Sequence, residues 1–194
     1  FGWHPGVDPL AAARAAGQAI RHGRVVSGAS TLTMQVARLL SPRPRTLSAK
    51  VAESLRAIQL QARLGTGGVL EAYLTLAPFG GAIEGVGAAA LAWFGKDPKG
   101  LTPAEAALLV ALPQSPERLR PDRHPEVARA ARDRVLDRAV SAGVIAADVA
   151  AAAKAEPVPT ALPPMPLHAG QLAERLAADG GTGAILRTTI DGGI

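Results

Sequence analysis

One carboxylate stands beside a lysine in a stretch of the chain that is almost free of acids. Glu53 follows Lys50 by three residues and is the only acidic residue between Asp8 and Glu71. Residues three apart share one flank of a helix, so these two side chains are expected to meet. A lone carboxylate among cations is suited to managing protons or to holding a cation near a phosphate. By itself, however, the spacing favours an ordinary surface ion pair, worth about 0.2–0.5 kcal/mol.

A second candidate is the segment 28–35, which reads Gly-Ala-Ser-Thr-Leu-Thr-Met-Gln. Its small residues and hydroxyl groups place backbone N–H groups and side-chain donors at the start of a helix, capped by Ser30 or a neighbour. The helix dipole and the unpaired amides favour an anion there, and Arg24 and Arg38 flank the segment. The same residues also fit a hydroxyl cap on a buried helix, so both interpretations stay open at this point.

Two further segments are better explained by a structural role than by a catalytic or binding role. Residues 1–8 begin with aromatics, contain His4 and end on Asp8, which is typical of a loop followed by a helix cap. The glycines at 80, 81 and 85 indicate turns in which chains approach closely. Glu84 is predicted to cap the helix that follows.

The positive charge of the chain is concentrated in its first third. Residues 1–64 contain nine basic and two acidic residues, a balance of +7, whereas the remaining 130 residues carry −2. This imbalance points to an anionic partner, namely phosphate, nucleic acid or a membrane surface. The absence of cysteine excludes disulfides, cysteine nucleophiles and thiolate metal sites. The four histidines never stand at ligand spacing, and no apolar run is long enough to predict a membrane span.

Hydrophobic periodicity and cap signals predict an all-α protein. Leu47, Val51, Leu55, Ile58 and Ala62 fall on one apolar face of the longest predicted helix. A capping box is predicted at residues 102–105. The predicted helices cover 10–21, 30–40, 46–64, 69–76, 82–94, 104–112, 125–142 and 146–155, with a turn at 65–68.

The composition changes beyond these helices. Five prolines between 157 and 166 predict a stiff linker, and 184–190 is the only predicted strand. We therefore expect a helical domain over 1–156, a linker with a short helix over 157–183, and the start of a further domain over 184–194. Because the chain begins in mid-motif at Phe1, it is interpreted as a fragment of a longer protein.

In this order, the segments resemble the family 51 glycosyltransferases, the peptidoglycan polymerase domains of class A penicillin-binding proteins. Phe1-x-x-His4-x-Gly6 is similar to the end of that family's first motif, and 28–35 to its Gly-Gly-Ser-Thr-Ile-Thr-Gln-Gln motif. Lys50-x-x-Glu53 is similar to its Arg-Lys-x-x-Glu motif. Residues 70–74, 85–86 and 94–96 are similar to its fourth block, 105–116 to its fifth, and 121–125 is most like the 1C type.

The resemblance implies a lysozyme-like α fold and the polymerisation of lipid II. The 4-hydroxyl of the acceptor sugar attacks the anomeric carbon of a lipid-diphosphate-linked glycan, which inverts, and a β-1,4 link forms as undecaprenyl diphosphate leaves. The reaction needs a base for the hydroxyl and positive charge for the diphosphate. The implied partners are lipid II, the growing glycan chain, the membrane surface and a transpeptidase domain that follows 187–191, with no nucleic acid. The implied location is the outer face of the bacterial cytoplasmic membrane, reached through an upstream anchor.

The resemblance also implies roles for individual residues. Glu53 assists at the leaving group, with a divalent cation, Mg²⁺ or Mn²⁺, as the implied cofactor at the diphosphate. His4 and Gly6 shape the cleft between donor and acceptor. The residues implied to hold the diphosphate are Ser30, Thr31, Gln35, Arg38, Arg45 and Lys50.

Three departures from the family pattern bear on activity. Ala49 stands where the family usually has Arg, and Thr75 where it usually has Asn. Arg45 is expected to compensate for the charge that Ala49 removes. The Glu-Asp pair that opens the family's first motif, with the proposed general base, is not in the chain, which is therefore expected to fold and to be inactive by itself.

Two other classes of function stay open. A lytic peptidoglycan glycosidase of lysozyme-like fold would need an acid in an apolar pocket, often with a second carboxylate. A non-catalytic module would bind anionic lipid or nucleic acid through the basic first third. Nucleic acid fits poorly because the basic residues are not interleaved with aromatics, whereas the loop 39–47, with its Leu, Pro and Arg, is expected to rest on lipid. The polymerase domain is the favoured interpretation.

Overall fold

The computed structural model describes residues 6–7, 30–42, 44 and 46–162. Six α-helices follow one another in this part of the chain, and the predicted all-α class is confirmed there. The predicted helix 10–21, the predicted strand 184–190 and the linker beyond residue 162 lie outside the described residues. The helices are α1 (Leu32–Leu40), α2 (Leu47–Leu76), α3 (Val86–Phe94), α4 (Pro103–Ala111), α5 (Pro125–Ser141) and α6 (Ala147–Ala155), with 3₁₀ turns at Pro98–Gly100 and Leu112–Gln114.

Threonine hydroxyls cap α1 and α2 at their N-termini. Oγ1 of Thr31 accepts a hydrogen bond from the Met34 N–H at 3.2 Å, and Oγ1 of Thr46 accepts one from the Ala49 N–H at 3.1 Å. These bonds satisfy amides that the first turn of a helix leaves unpaired. The predicted cap at Ser30 or a neighbour is confirmed, with Thr31 as the capping residue.

The long helix α2 has one break in its helical geometry, at Gly65 (φ 64°, ψ −178°). Glycine reaches this positive φ without the steric cost that a side chain would add. The prediction of two helices is confirmed at Gly65, whereas the predicted turn at 65–68 is too long, because only Gly65 leaves the helical conformation within these 30 residues. Nε2 of Gln61 donates to Oγ1 of Thr66 at 3.1 Å and so bridges the break. The element α2 therefore consists of two helical segments, 47–64 and 66–76, that meet at Gly65.

Helix α1 packs along α2, and small or apolar side chains on both helices are removed from water. Met34, Val36, Ala37 and Ala57 are each at most 2% exposed. Alanine at 37 and 57 lets two helix backbones approach closely, which is a condition for side chains on one helix to reach the other. The close packing of α1 on α2 brings the residues of segment 28–35 beside those of the Lys50–Glu53 region.

The apolar face predicted for α2 points to solvent. Val51, Leu55 and Ile58 are 61%, 59% and 44% exposed. A period of 3.6 residues shows which side chains share a face, but it does not show which face the core covers. We call these three residues the apolar stripe of α2.

The main hydrophobic core is built by α3, α4, α5 and the loops between them. It surrounds Trp93, whose indole N–H donates to the carbonyl oxygen of Phe79 at 3.2 Å. Leu108, Leu112 and Leu119 are buried in the same cluster. This core holds the C-terminal end of α2 and the loops that follow it in place.

The loop before α3 corrects two predictions. The helix predicted over 82–94 begins at Val86, and Glu84 makes no capping hydrogen bond, because Gly85 (φ 84°) is the N-cap. A Cβ at Gly85 would lie 2.8 Å from the carbonyl oxygen of Thr75. The close approach of chains predicted for this glycine is therefore confirmed.

The last three helices begin and end close to their predicted limits. The predicted capping box is present, since Thr102 Oγ1 accepts from the Glu105 N–H and the Glu105 carboxylate accepts from the Thr102 N–H. The buried Arg132 of α5 donates to the carbonyl oxygens of Lys154 and Glu156, which the end of α6 leaves free. The domain limits at 156 and 183 stay predictions.

Candidate active site

The centre of the candidate site is the carboxylate of Glu53, held between cations from two helices. Arg38 of α1 donates through Nη2 to Oε1 at 3.1 Å and through Nε to Oε2 at 3.3 Å. Lys50 of α2 donates through Nζ to Oε1 at 2.8 Å. The spacing of Lys50 and Glu53 predicted their contact, which is confirmed. No spacing pointed to Arg38, which lies fifteen residues before Glu53 and reaches it through the packing of α1 on α2.

The hydroxyl-rich segment joins this cluster through Ser30. Nζ of Lys50 donates to Oγ of Ser30 at 2.6 Å, so the lysine is shared between the hydroxyl and the carboxylate. The segment 28–35 therefore contacts the Lys50–Glu53 pair at Ser30. Gly28 and Ala29 lie outside the described residues.

Thr31 links the cluster to the start of the chain. Besides capping α1, its hydroxyl donates to the carbonyl oxygen of Gly6 at 2.6 Å. Gly6 is buried with φ 96°, and a Cβ there would lie 2.5 Å from the carbonyl oxygen of Ala57 on α2. Only glycine fits this position, because both the φ angle and the space exclude a side chain.

A cleft of about 130 Å³ is lined in part by Arg38. Polar and apolar groups line it, and they come from α1, from the end of α2 and from the loops beyond. A cleft with a few convergent polar groups among apolar ones is typical of ligand sites. Its lining residues are Gln35, Arg38, Leu39, Tyr73, Pro78 and Pro113.

Tyr73 lines this cleft, although the sequence motif that contains it implied no role for the side chain. Burial raises the pKa of its phenol, so the hydroxyl stays protonated and can donate a hydrogen bond at neutral pH. A signal was available in the sequence, since this is the only tyrosine among 194 residues and it lies in a segment of small and aliphatic residues. Only the tertiary structure shows that Tyr73 lies beside Arg38 in the cleft.

The carboxyl group of Glu53 is ionised at neutral pH. Burial alone would raise its pKa, but hydrogen bonds from Arg38 and Lys50, and the charges of both, together bring the pKa below its ordinary value. Its side chain is 12% exposed, whereas those of Arg38 and Lys50 are 45% and 39% exposed. The cations therefore present much of their surface to an incoming ligand while the carboxylate lies beneath them.

The divalent cation that the resemblance implies would meet one carboxylate in this cluster, that of Glu53, and it stays a proposal. Mg²⁺ is usually held by one or two carboxylates together with substrate phosphates. Oε1 and Oε2 of Glu53 already accept hydrogen bonds from cationic groups, and among the described residues no group of three or more His, Asp or Glu side chains could hold a metal ion.

The remaining predicted site residues are placed as follows. Gln35 lies in the cleft beside Arg38. Ala49 contributes no charge, and the second cation on Glu53 comes from Arg38 of α1. His4 and Arg45 lie outside the described residues, so the compensation expected from Arg45 stays a prediction.

Comparison with known proteins agrees with the motifs. The family described as Transglycosylase matches residues 1–140. The chain therefore belongs to the transglycosylase family, and the resemblance to peptidoglycan glycosyltransferases is confirmed. The observed helices agree with the all-α, lysozyme-like domain that this family implies.

Individual relatives are penicillin-binding proteins. The chain is 46% identical over 194 residues to penicillin-binding protein 1C of Escherichia coli (strain K12). The matched region covers all of this chain and 25% of that protein. It is 42% identical over 146 residues to penicillin-binding protein 1A of Aquifex aeolicus (strain VF5). This matched region covers 75% of this chain and 20% of that protein. A crystal structure of penicillin-binding protein 1A from Haemophilus influenzae covers 75% of this chain and 19% of that chain, at 21% identity and a TM-score of 0.44. The chain spans about a quarter of the length of these curated relatives, or less.

Proposed function

We propose that this chain is the glycosyltransferase part of a peptidoglycan polymerase that extends glycan strands from lipid II. The observation that carries the proposal is the pair of partly exposed cations, Arg38 and Lys50, positioned over Glu53 at the hydroxyl-rich start of α1. Membership of the transglycosylase family supports it. The substrates are therefore a lipid-linked disaccharide diphosphate and the growing glycan chain.

The leaving group explains why cations dominate the site. When the acceptor 4-hydroxyl oxygen bonds to the anomeric carbon, the bond from that carbon to the diphosphate oxygen breaks and negative charge collects on the phosphate. Preorganised cations and hydrogen-bond donors stabilise such developing charge. Arg38 and Lys50 supply the charge, and Ser30 and Gln35 supply further donors close to them.

Glu53 acts in this scheme as an ionised group that positions the cations. Because its pKa is lowered, it holds no proton to give to the leaving group at neutral pH. Its two oxygens instead bring Arg38 and Lys50 together from separate helices. The proton of the acceptor hydroxyl goes to a different base, which the resemblance places in the Glu-Asp pair of the family's first motif.

A lipid-linked substrate requires that the site lie near a membrane, and the apolar stripe of α2 supports such a location. Val51, Leu55 and Ile58 are exposed together, and the exposed Arg56 and Arg63 on the same helix add positive charge. Apolar side chains with flanking arginines are typical of a surface that rests on anionic lipid. Leu40, at the end of α1, is 47% exposed and agrees with the lipid contact expected of loop 39–47.

The proposed location is the outer face of the cytoplasmic membrane. None of the helices in the described part of the chain is long and apolar enough to cross a bilayer. We propose that a further segment of the protein anchors the domain and that a transpeptidase domain is its partner in the same chain. The names of the penicillin-binding relatives, which are several times longer than this chain, support the second point.

A lytic glycosidase fits the site less well. Such an enzyme needs a carboxylic acid that keeps its proton near neutral pH, which requires a raised pKa. Glu53 has a lowered pKa because two cations hold its ionised form. The polymerase, which needs cations rather than an acid at this point, is the better match.

Binding of fluorescent lipid II to the chain, competed with undecaprenyl diphosphate or duplex DNA, tests the proposal without depending on the reaction's base. Lys50→Ala is compared with the wild type, and Lys99→Ala, an exposed lysine in a separate turn, is the matched control. We expect saturable binding that undecaprenyl diphosphate displaces and that only Lys50→Ala weakens. Equal displacement by DNA, with no effect of Lys50→Ala, would show a generic anion surface and overturn the proposal.

A further inference from the structure

A second set of polar side chains joins α1 to α2 away from the charged cluster. The hydroxyl of Thr33 is fully buried and donates to Oε1 of Gln61 at 3.0 Å. Nε2 of Gln61 donates in turn to Oγ1 of Thr66 at 3.1 Å, across the break at Gly65. Neither Gln61 nor Thr66 belongs to the motifs that pointed to the function. We call these three residues the threonine–glutamine chain.

The threonine–glutamine chain and the Arg38–Glu53 ion pair attach α1 to α2 at two separate levels. Thr33 and Arg38 are five residues apart on α1, about 7.5 Å along a helix axis. Gln61 and Glu53 are eight residues apart on α2, about 12 Å along its axis. Two attachments at different heights prevent one helix from sliding or rotating on the other. With one attachment alone, the helix could still rotate about the point of contact.

The two attachments respond differently to an anionic ligand. Arg38 is 45% exposed and faces the cleft as well as Glu53, so a bound diphosphate competes with the carboxylate for its guanidinium. Thr33 is 0% exposed, and it donates to Gln61, neither of which lines the cleft. The threonine–glutamine chain therefore keeps α1 aligned on α2 at the moment when the ion pair is weakened.

We propose that Gln61 is a positioning residue of the glycosyltransferase site, which holds α1 in register on α2 so that Arg38 and Lys50 meet the same diphosphate. The inference rests on the proposed function. It assigns Gln61 no contact with the substrate. Its effect passes through Thr33, and its second hydrogen bond to Thr66 ties the part of α2 beyond Gly65 to the same point.

The test measures the affinity of the full chain for undecaprenyl diphosphate in detergent micelles, well below the unfolding temperature of each variant. Gln61→Ala removes the acceptor, and Gln59→Ala, an exposed glutamine two residues away on the same helix, is the matched control. Thr33→Val removes the hydroxyl at nearly constant volume, so this variant is expected to fold, and Thr33→Ser restores it. We expect Gln61→Ala and Thr33→Val each to weaken binding about two- to tenfold, the range that one hydrogen bond supplies.

The pattern across the variants separates positioning from a general loss of structure. If Gln61 acts through Thr33, the double variant Thr33→Val, Gln61→Ala binds no more weakly than either single variant, and Thr33→Ser binds as the wild type does. The inference is overturned if Gln61→Ala binds like Gln59→Ala, or if the two losses multiply. If the wild type fails to bind, or if Lys50→Ala binds equally well, the proposed function fails as well, and the two failures are thereby distinguished.

Discussion

The guanidinium of Arg38 and the carboxylate of Glu53 join α1 to α2 at the candidate site, with donor–acceptor distances of 3.1 and 3.3 Å. Fifteen residues separate the two in the chain, so only the packing of the helices brings them together. Arg38 donates to both carboxylate oxygens, and Lys50 donates to Oε1 as well, so two cations hold one carboxylate. Several measurable properties depend on this arrangement.

The first prediction concerns stability in acid. Because the folded pKa of Glu53 is below its unfolded value, its contribution to the free energy of unfolding is complete above the unfolded pKa and is lost as the pH falls through the folded pKa. Urea unfolding of the wild type and Glu53→Gln is therefore expected to show a difference near pH 7 that shrinks below about pH 4. A difference that stays constant between pH 7 and pH 3 would contradict the ion pair.

The second prediction concerns the missing charge at position 49. Ala49→Arg places an arginine one residue before Lys50, where the family usually has one, and adds a cation at the start of α2. We expect undecaprenyl diphosphate to bind about two- to fivefold more tightly, the gain typical of a partly exposed charge pair. Ala62→Arg, at an exposed position farther along the same helix, is the control. Equal tightening by both variants would indicate net charge rather than a site.

The third prediction concerns the fit of Gly6 against α2. Gly6→Ala places a Cβ 2.5 Å from the carbonyl oxygen of Ala57 at a φ of 96°. The chain must move away, which disturbs the hydrogen bond from Thr31. We expect a loss of about 1–3 kcal/mol in the free energy of unfolding, measured by chemical denaturation. Gly100→Ala, where nothing lies within 4 Å of the added Cβ, should change the stability far less.

The fourth prediction concerns the apolar stripe. Removing Val51 and Leu55 together, as Val51→Ser with Leu55→Ser, is expected to weaken partition onto vesicles of anionic lipid by at least tenfold. The reason is that each side chain contributes about 1.5 kcal/mol or more when it leaves water. Vesicle sedimentation measures the partition. Val144→Ser, which removes an apolar side chain that is 73% exposed on another part of the surface, should leave it unchanged. If Val144→Ser had the same effect, the stripe would not be the lipid-facing surface.

The fifth prediction concerns divalent cations. Since both Glu53 oxygens are held by Arg38 and Lys50, a cation that accompanies the substrate is expected to be held by the phosphates rather than by the protein. Removing Mg²⁺ with EDTA should therefore change the affinity for undecaprenyl diphosphate by the same factor in the wild type and in Glu53→Gln. An effect of EDTA on the wild type alone would instead make Glu53 a metal ligand.

The sequence was sufficient for those features that depend on residues close together in the chain. The caps at Thr31 and Thr102 and the contact of Lys50 with Glu53 follow from spacings of three residues, because a helix brings such residues together wherever it packs. The order of the motifs was likewise sufficient for the family. Local geometry and motif order are both properties of the linear chain.

Packing alone decided the rest. Arg38 reaches Glu53, and Thr33 reaches Gln61, because α1 lies against α2, and no periodicity indicates which helices will meet. The same is true of the apolar stripe, since a pattern marks a face but not what covers it. Gly65 ends a helix as predicted, but the next helical segment begins directly after it rather than after a turn of four residues. The contact of Lys50 with Glu53 could therefore be predicted from the sequence. The position of Arg38 beside them depends on the packing of α1 on α2.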